Sequence, residues 1–204
     1  YNLKKKLGLL NMNYSPIQEL SETDFVNHKE KAAEIAQNAI TVTSNKDNIL
    51  SLDKENVKDI LLCVVAEGNQ SNNFNTLVDE FKKEGFNVEI KDNLPFFSVG
   101  YQGLNDVKDR YDRIIFIFNS APSNPWGSLA LSGDEALTMW SANMLPFNKV
   151  VSITFGDPYK NIIYMPRTWG RINCYSSDKV TQRVLAHGLV NGTEFNGKLP
   201  LKIN

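Results

Sequence analysis

Three apolar runs constrain this chain more than any other feature: residues 60–65 (ILLCVV), 114–118 (IIFIF) and 150–155 (VVSITF), the last carrying Ser152 and Thr154. A strand with one wet face alternates apolar and polar residues. A run that does not alternate suits a strand covered on both sides, as in the parallel sheets of α/β proteins. Between these runs the period changes to a helical one. Phe74, Leu77, Val78 and Phe81 follow i, i+3, i+4, i+7 spacing, with Asn73 placed to cap the helix and Gly85 to stop it. Phe86, Val88 and Ile90 then alternate as a further strand, and Leu104 and Val107 mark a short helix. Ser132 with Glu135 forms a capping box, and Leu137, Trp140 and Met144 extend a stripe expected to be buried. Residues 171–174 predict a strand, Ser176 or Ser177 a cap, and Val180, Val184 and Leu185 a helix ending at Gly188. Residues 199–203 predict a last strand. Buried strands joined by helix-length crossovers imply an α/β three-layer sandwich, its mainly parallel sheet covered by helices on both faces.

The N-terminal part reads differently. Residues 1–7 resemble the last turns of a helix stopped at Gly8, and residues 9–20, with Asn11, Asn13, Ser15 and Pro16, form a linker. Ser21 or Thr23 is placed to cap a helix in which Phe25, Ala32, Ile35, Ala36 and Ala39 share a face. A short strand over 40–43 and a turn over 45–48 follow. Two segments are therefore expected: 1–20, and an α/β domain over 21–204. The chain opens on Tyr1 rather than Met, as a piece of a longer protein would.

Composition excludes some functions. A net charge of −1 over 204 residues argues against a nucleic-acid surface, which needs excess Lys and Arg. No run approaches the ~18 apolar residues of a membrane span, so a soluble chain is expected, cytoplasmic or exported as part of a longer protein. Cys63 and Cys174, each in an expected strand, read as buried free thiols rather than a disulfide framework. Neither lies in a Gly-x-Cys-x-Gly turn. His28 and His187 have no neighbouring ligand set, and no spacing calls for zinc or any other cofactor. Residues 192–198 (GTEFNGK) copy the spacing of a phosphate-binding loop. They follow a helix instead of a strand and continue into Leu199-Pro200 without a hydroxyl, so a turn is the better reading.

Ligands of parallel sheets collect at the C-terminal ends of the strands, here the loops 67–73, 119–131 and 156–159. Asn119 opens the second loop and Asp157 the third. Asp157 with Pro158 also suits the start of a helix. Trp126, in a Pro-rich loop, can stack on a sugar face, pack against another domain or cover the sheet edge.

Several segments resemble, in order, the C-terminal domain of glycoside hydrolase family 3. Residues 3–9 (LKKKLGL) are similar to the end of that family's catalytic barrel, and 32–52 to the helix, strand and turn that open its second domain. Residues 151–159 (VSITFGDPY) resemble its strand and Pro-Tyr loop. Residues 175–182 and 196–201 (NGKLPL) resemble its last helix and terminal strand. The resemblance implies that residues 1–20 are the end of a barrel helix plus an interdomain linker. It also implies that the partner is an N-terminal (β/α)8 barrel of the same protein, acting on β-linked sugars with retention through a carboxylate of the barrel. The β-glucosidase branch adds an acid Glu from the loop after a central strand. The corresponding residues 123–128 (SNPWGS) contain no carboxylate, which points to the β-N-acetylhexosaminidase branch, whose acid/base is a His-Asp pair in the barrel. No catalytic residue is then expected here. Asn119, Trp126, Asp157 and Tyr159 are the candidates for contact with substrate or the neighbouring domain. An independent carbohydrate or small-ligand module, or the second domain of a β-glucosidase, is the alternative.

Overall fold

A computed structural model describes residues 1–6, 22–66, 68–120 and 130–199. The chain divides into two compact units, Tyr1–Lys31 and Ala32–Asn204. The first holds α1 (Asn2–Lys6), all of it exposed, and the start of α2 (Glu22–Ala39). The apolar face expected on α2 is not buried as a stripe. Phe25 and Ile35 are exposed, and of the five residues expected on that face only Ala36 is fully covered. Phe25 meets the His28 ring edge-on at 6.4 Å.

The second unit is built on six strands: β1 (Thr41–Asn45), β2 (Asp59–Val65), β3 (Asn87–Asp92), β4 (Arg113–Ser120), β5 (Val150–Gly156) and β6 (Gly170–Asn173). Their order is β1-β6-β5-β4-β2-β3, all parallel except β1, which runs antiparallel to β6 at the edge. The central apolar runs are β2, β4 and β5, and both faces of each are covered, as expected from residues that do not alternate. The helices are α3 (Asn75–Lys83), α4 (Phe96–Arg110), α5 (Gly133–Met144), α6 (Tyr159–Tyr164) and α7 (Lys179–Asn191).

Odd and even strand residues feed two separate cores. On one face Ile60, Leu62, Val64, Ile115, Ile117, Ile153 and Phe155 pack with Leu77, Val78 and Phe81 of α3 and Leu185, Ala186 and Leu189 of α7. On the other, Leu61, Cys63, Val65, Phe116 and Phe118 pack with Leu104 and Val107 of α4 and Met139 and Ala142 of α5. Cys63 and Cys174 are free and buried, and burial pushes both thiols above the ordinary range.

Four local expectations are corrected. Asn73 does not cap α3. A 3-10 turn, Ser71–Phe74, precedes the helix, and the Asn73 carbonyl accepts from the Gln182 amide at 2.8 Å. The stripe on α5 is rotated: Trp140 and Met144 are 56% and 50% exposed, while Thr138, Met139, Ser141 and Ala142 face inward. Small residues let the helix approach the sheet, and the Thr138 hydroxyl accepts from the Leu94 amide at 2.8 Å, which fixes the rotation. The cap of α7 is Asp178, not Ser176 or Ser177; its carboxylate accepts from the amides of Val180 and Thr181. That helix also runs through Gly188, where the Phe195 ring occupies the space a side chain would fill, and it stops instead at Gly192 in the left-handed region. The capping box of α5 and the stop at Gly85 are as expected. The helix with Leu104 and Val107 is longer than expected and turns sharply at Gly100. The last strand expected over 199–203 lies largely outside the described residues.

Candidate functional site

The chain leaves β2 toward β3 on one side, and after β4 it proceeds toward β5 on the other. The crevice between the C-terminal ends of β2 and β4 is therefore the switch point of the sheet, the place where doubly wound folds hold ligands. Asn119, the last but one residue of β4, closes it by donating its amide to the Gln70 side-chain oxygen at 2.6 Å. Gln70 is itself held from behind. The Asp92 carboxylate at the end of β3 accepts from the Gln70 and Ser71 amides at 2.7 and 2.8 Å and from the Ser71 hydroxyl at 2.6 Å. Asp92 thus gathers the loop after β2, and Gln70 passes that order to Asn119.

Beside this network is a cleft of about 430 Å³ bounded by Gly68, Asn69, Asp92, Asn93, Asp134 and Glu135, among others. Asn93 adopts a positive φ of 52°, and its side-chain amide donates to the Ala66 carbonyl at 3.0 Å. Glu135 accepts from the Ser132 amide in the capping box. Asp92, the Asn93 amide group and Glu135 are tied to backbone, an arrangement that can order hydroxyl groups. Among the described residues no group of three metal-binding side chains occurs.

The end of β5 is a separate place. Asp157 is buried, and its carboxylate accepts from the Tyr159 amide at 2.9 Å, which fixes the turn into the short α6, whose N-cap position is Pro158. Tyr159 is half-buried. The next turn is pinned by Asn161, which accepts from the Ser152 hydroxyl and donates to the Ile172 carbonyl at 2.7 Å and the Asn173 side chain at 2.8 Å. Thr154 completes this buried cluster by donating to Asn173 at 2.9 Å.

Of the four residues singled out from the sequence, Asn119 turns to the β2 side while Asp157 and Tyr159 sit together on α6. No hydrogen bond joins Asn119 to either of them. Trp126 and the whole 121–129 segment, like Glu67, lie outside the described residues. His187 is exposed on α7, away from both groups. Sequence reading passed over Asp92, Gln70, Lys160 and Asn161. Asp92 carried the same signal as Asp157, a carboxylate at the end of a strand. Asn161, one polar residue in a short helix, carried none.

The molecule is thus an α/β sandwich of doubly wound order with an antiparallel edge strand. No protein-family model matches the sequence, and no curated protein matches it. Solved structures do. The chain is similar to a β-glucoside phosphorylase, BglX, with 24% identity and a TM-score of 0.72 over 96% of this chain and 36% of that one. It is similar to a glycoside hydrolase family 3 β-N-acetylglucosaminidase from Paenibacillus sp. FPU-7, with 16% identity and a TM-score of 0.62 over 98% and 37%. A β-glucosidase from Listeria innocua gives 16%, 0.61, 94% and 30%. At these identities the likeness establishes the fold, and the chain spans about a third of the length of the solved chains it matches.

Proposed function

We propose that this chain is the C-terminal accessory domain of a family 3 glycoside hydrolase, a supporting sandwich for a (β/α)8 barrel that carries the catalytic groups. The observation that carries the reading is coverage. Nearly all of this chain superposes on a minor part of much longer enzymes that act on β-linked sugars, and the resemblance of residues 3–9, 151–159 and 196–201 to the same family follows the same order. The described residues agree with it chemically: their carboxylates at the sheet edge cap helices and hold loops.

Within the family, the β-N-acetylhexosaminidase branch is favoured by the absence of a carboxylate from residues 123–128. Asn119, Trp126, Asp157 and Tyr159 are the proposed points of contact with substrate or barrel. Two measurements test the reading. The 204-residue chain alone is expected to release no aglycone from an aryl β-N-acetylglucosaminide; robust turnover overturns it. The coding sequence upstream is expected to encode a (β/α)8 barrel with a His-Asp pair. A barrel without the pair would move the protein to the β-glucosidase branch, and no barrel at all would leave an independent binding module.

A further inference from the structure

Four apolar side chains stand out from the sheet on α4 and α5. Phe97 and Tyr101 of α4 are each 70% exposed, and Trp140 and Met144 of α5 are at least half-exposed. The rings are linked: Phe96 meets Phe97 at 5.7 Å and Tyr101 at 5.1 Å, and Phe97 meets Trp140 at 5.6 Å. Phe96 is partly buried against the core, so the group is anchored from below. Single exposed apolar residues are ordinary, whereas a contiguous group of them marks an interaction site. The surroundings are as unusual as the centre. Neither residues 96–105 nor residues 136–148 include a charged side chain, in a chain whose residues are 22% charged. The exposed Phe25 and Ile35 of α2, by contrast, lie among Lys29, Glu30, Lys31 and Glu34.

We propose that a second copy of the chain docks on this face, α4 of each protomer lying over α5 of its partner about a twofold axis. A partner of different sequence is usually steered and held in register by opposite charges around the apolar centre, and this face has none to offer. Against its own copy the same lack is favourable. A twofold contact sets one surface against itself, and like charges there would repel. The four side chains also divide in a suitable way. Phe97 and Tyr101 come from one helix and Trp140 and Met144 from the other, so the twofold places rings against a ring and a thioether in two equivalent halves. Ser98, Gln102, Asn105 and Asn143, all exposed, supply an uncharged polar rim. A flat polysaccharide surface fits less well, because the linked rings are inclined to one another by 62°, 81° and 58° and share no plane for sugar stacking. None of the four side chains is among the contacts proposed above for substrate or barrel, so the inference stands apart from that reading.

The test is sedimentation velocity of the 204-residue chain over concentrations from about 1 µM to a few hundred µM. A reversible equilibrium is expected, with the mass rising from 23.0 kDa toward twice that value. Raising sodium chloride to about 1 M is expected not to weaken it, since salt screens charges and leaves apolar contact intact. Trp140→Lys brings two ammonium groups into each dimer contact and is expected to weaken association about tenfold or more, with the circular dichroism unchanged. If that variant does not fold, Phe97→Ser with Trp140→Ser serves in its place. A monomer at every concentration, a dimer that dissolves in salt, open-ended aggregates, or a dimer unchanged in the variant overturns the proposal. A monomer that instead captures chitin or the upstream part of the protein through these residues overturns it as well, and assigns the face to that occupant.

Discussion

The two faces of the sheet are finished differently. Under α3 and α7 the cover is complete: Leu77, Phe81, Leu185 and Leu189 are buried, and Gly188 lets the Phe195 ring lie directly on its helix. Under α4 and α5 the inner side is equally dry, but the outer side presents Phe97, Tyr101, Trp140 and Met144 to solvent. Phe97, 70% exposed, packs its ring against Trp140 at 5.6 Å and against Phe96 at 5.7 Å. Each face also carries buried polar bonds: on the first, Gln182 of α7 accepts from the Leu77 amide and donates to the Asn73 and Ser177 carbonyls, and on the second Asn161 ties Ser152, Ile172 and Asn173 together. Only the second leaves aromatic surface uncovered.

The largest expected effect comes from the closed face. Phe81→Ala empties a fully buried site and should cost about 3–5 kcal/mol in urea unfolding. A cost below about 1 kcal/mol would show that this face is less tightly packed than its contacts imply. On the other face, Asn161→Ala removes the partners of Ser152, Asn173 and the Ile172 carbonyl at once, with an expected loss of about 2–3 kcal/mol. A near-neutral result would mean that the cluster is rebuilt with water.

Smaller still is the cap of α7. Asp178→Ala is expected to cost about 1 kcal/mol at neutral pH. The Asp178 carboxyl is pulled up by partial burial but held below its ordinary value by hydrogen bonds from Ser176, Thr181 and Val180. Its contribution is thus present above the unfolded-state pKa and is lost as pH falls through the lower folded value. Unfolding curves of Asp178→Ala and the parent chain should converge in strong acid and separate near pH 7. The smallest effect is expected at the uncovered aromatics: Phe97→Ser with Trp140→Ser should shift stability by no more than about 0.5 kcal/mol per site. A large loss would mean that the ring contacts across α4 and α5 carry part of that face.

How much of this was legible depends on what each residue answers to. The strands were legible because Ile60, Ile115 and Ile153 must be buried wherever they go, and an apolar run without alternation has few other homes. The capping box at Ser132 and the stop at Gly85 were legible because both are settled within a few residues. The rotation of α5 was not, since Trp140 looks more apolar than Thr138. It was decided by the Leu94 amide, 44 residues away in sequence, which needed an acceptor. The cap of α7 fell to Asp178 rather than the serines because a carboxylate serves two amides at once. At the candidate site Asp157 was legible as a carboxylate at the end of a strand, but Lys160, in the short helix that follows, gave no sign of being buried.

The sequence by itself determined the class of the fold and the strands that form its centre, because these follow from periodicity and residue chemistry. Only the tertiary structure decided the strand order, the bridge from Asp92 through Gln70 to Asn119, and the buried cluster of Asn161 with Ser152, Ile172 and Asn173. Those depend on hydrogen bonds and packing between segments far apart in the chain, and no local pattern encodes which distant partner a polar group will meet.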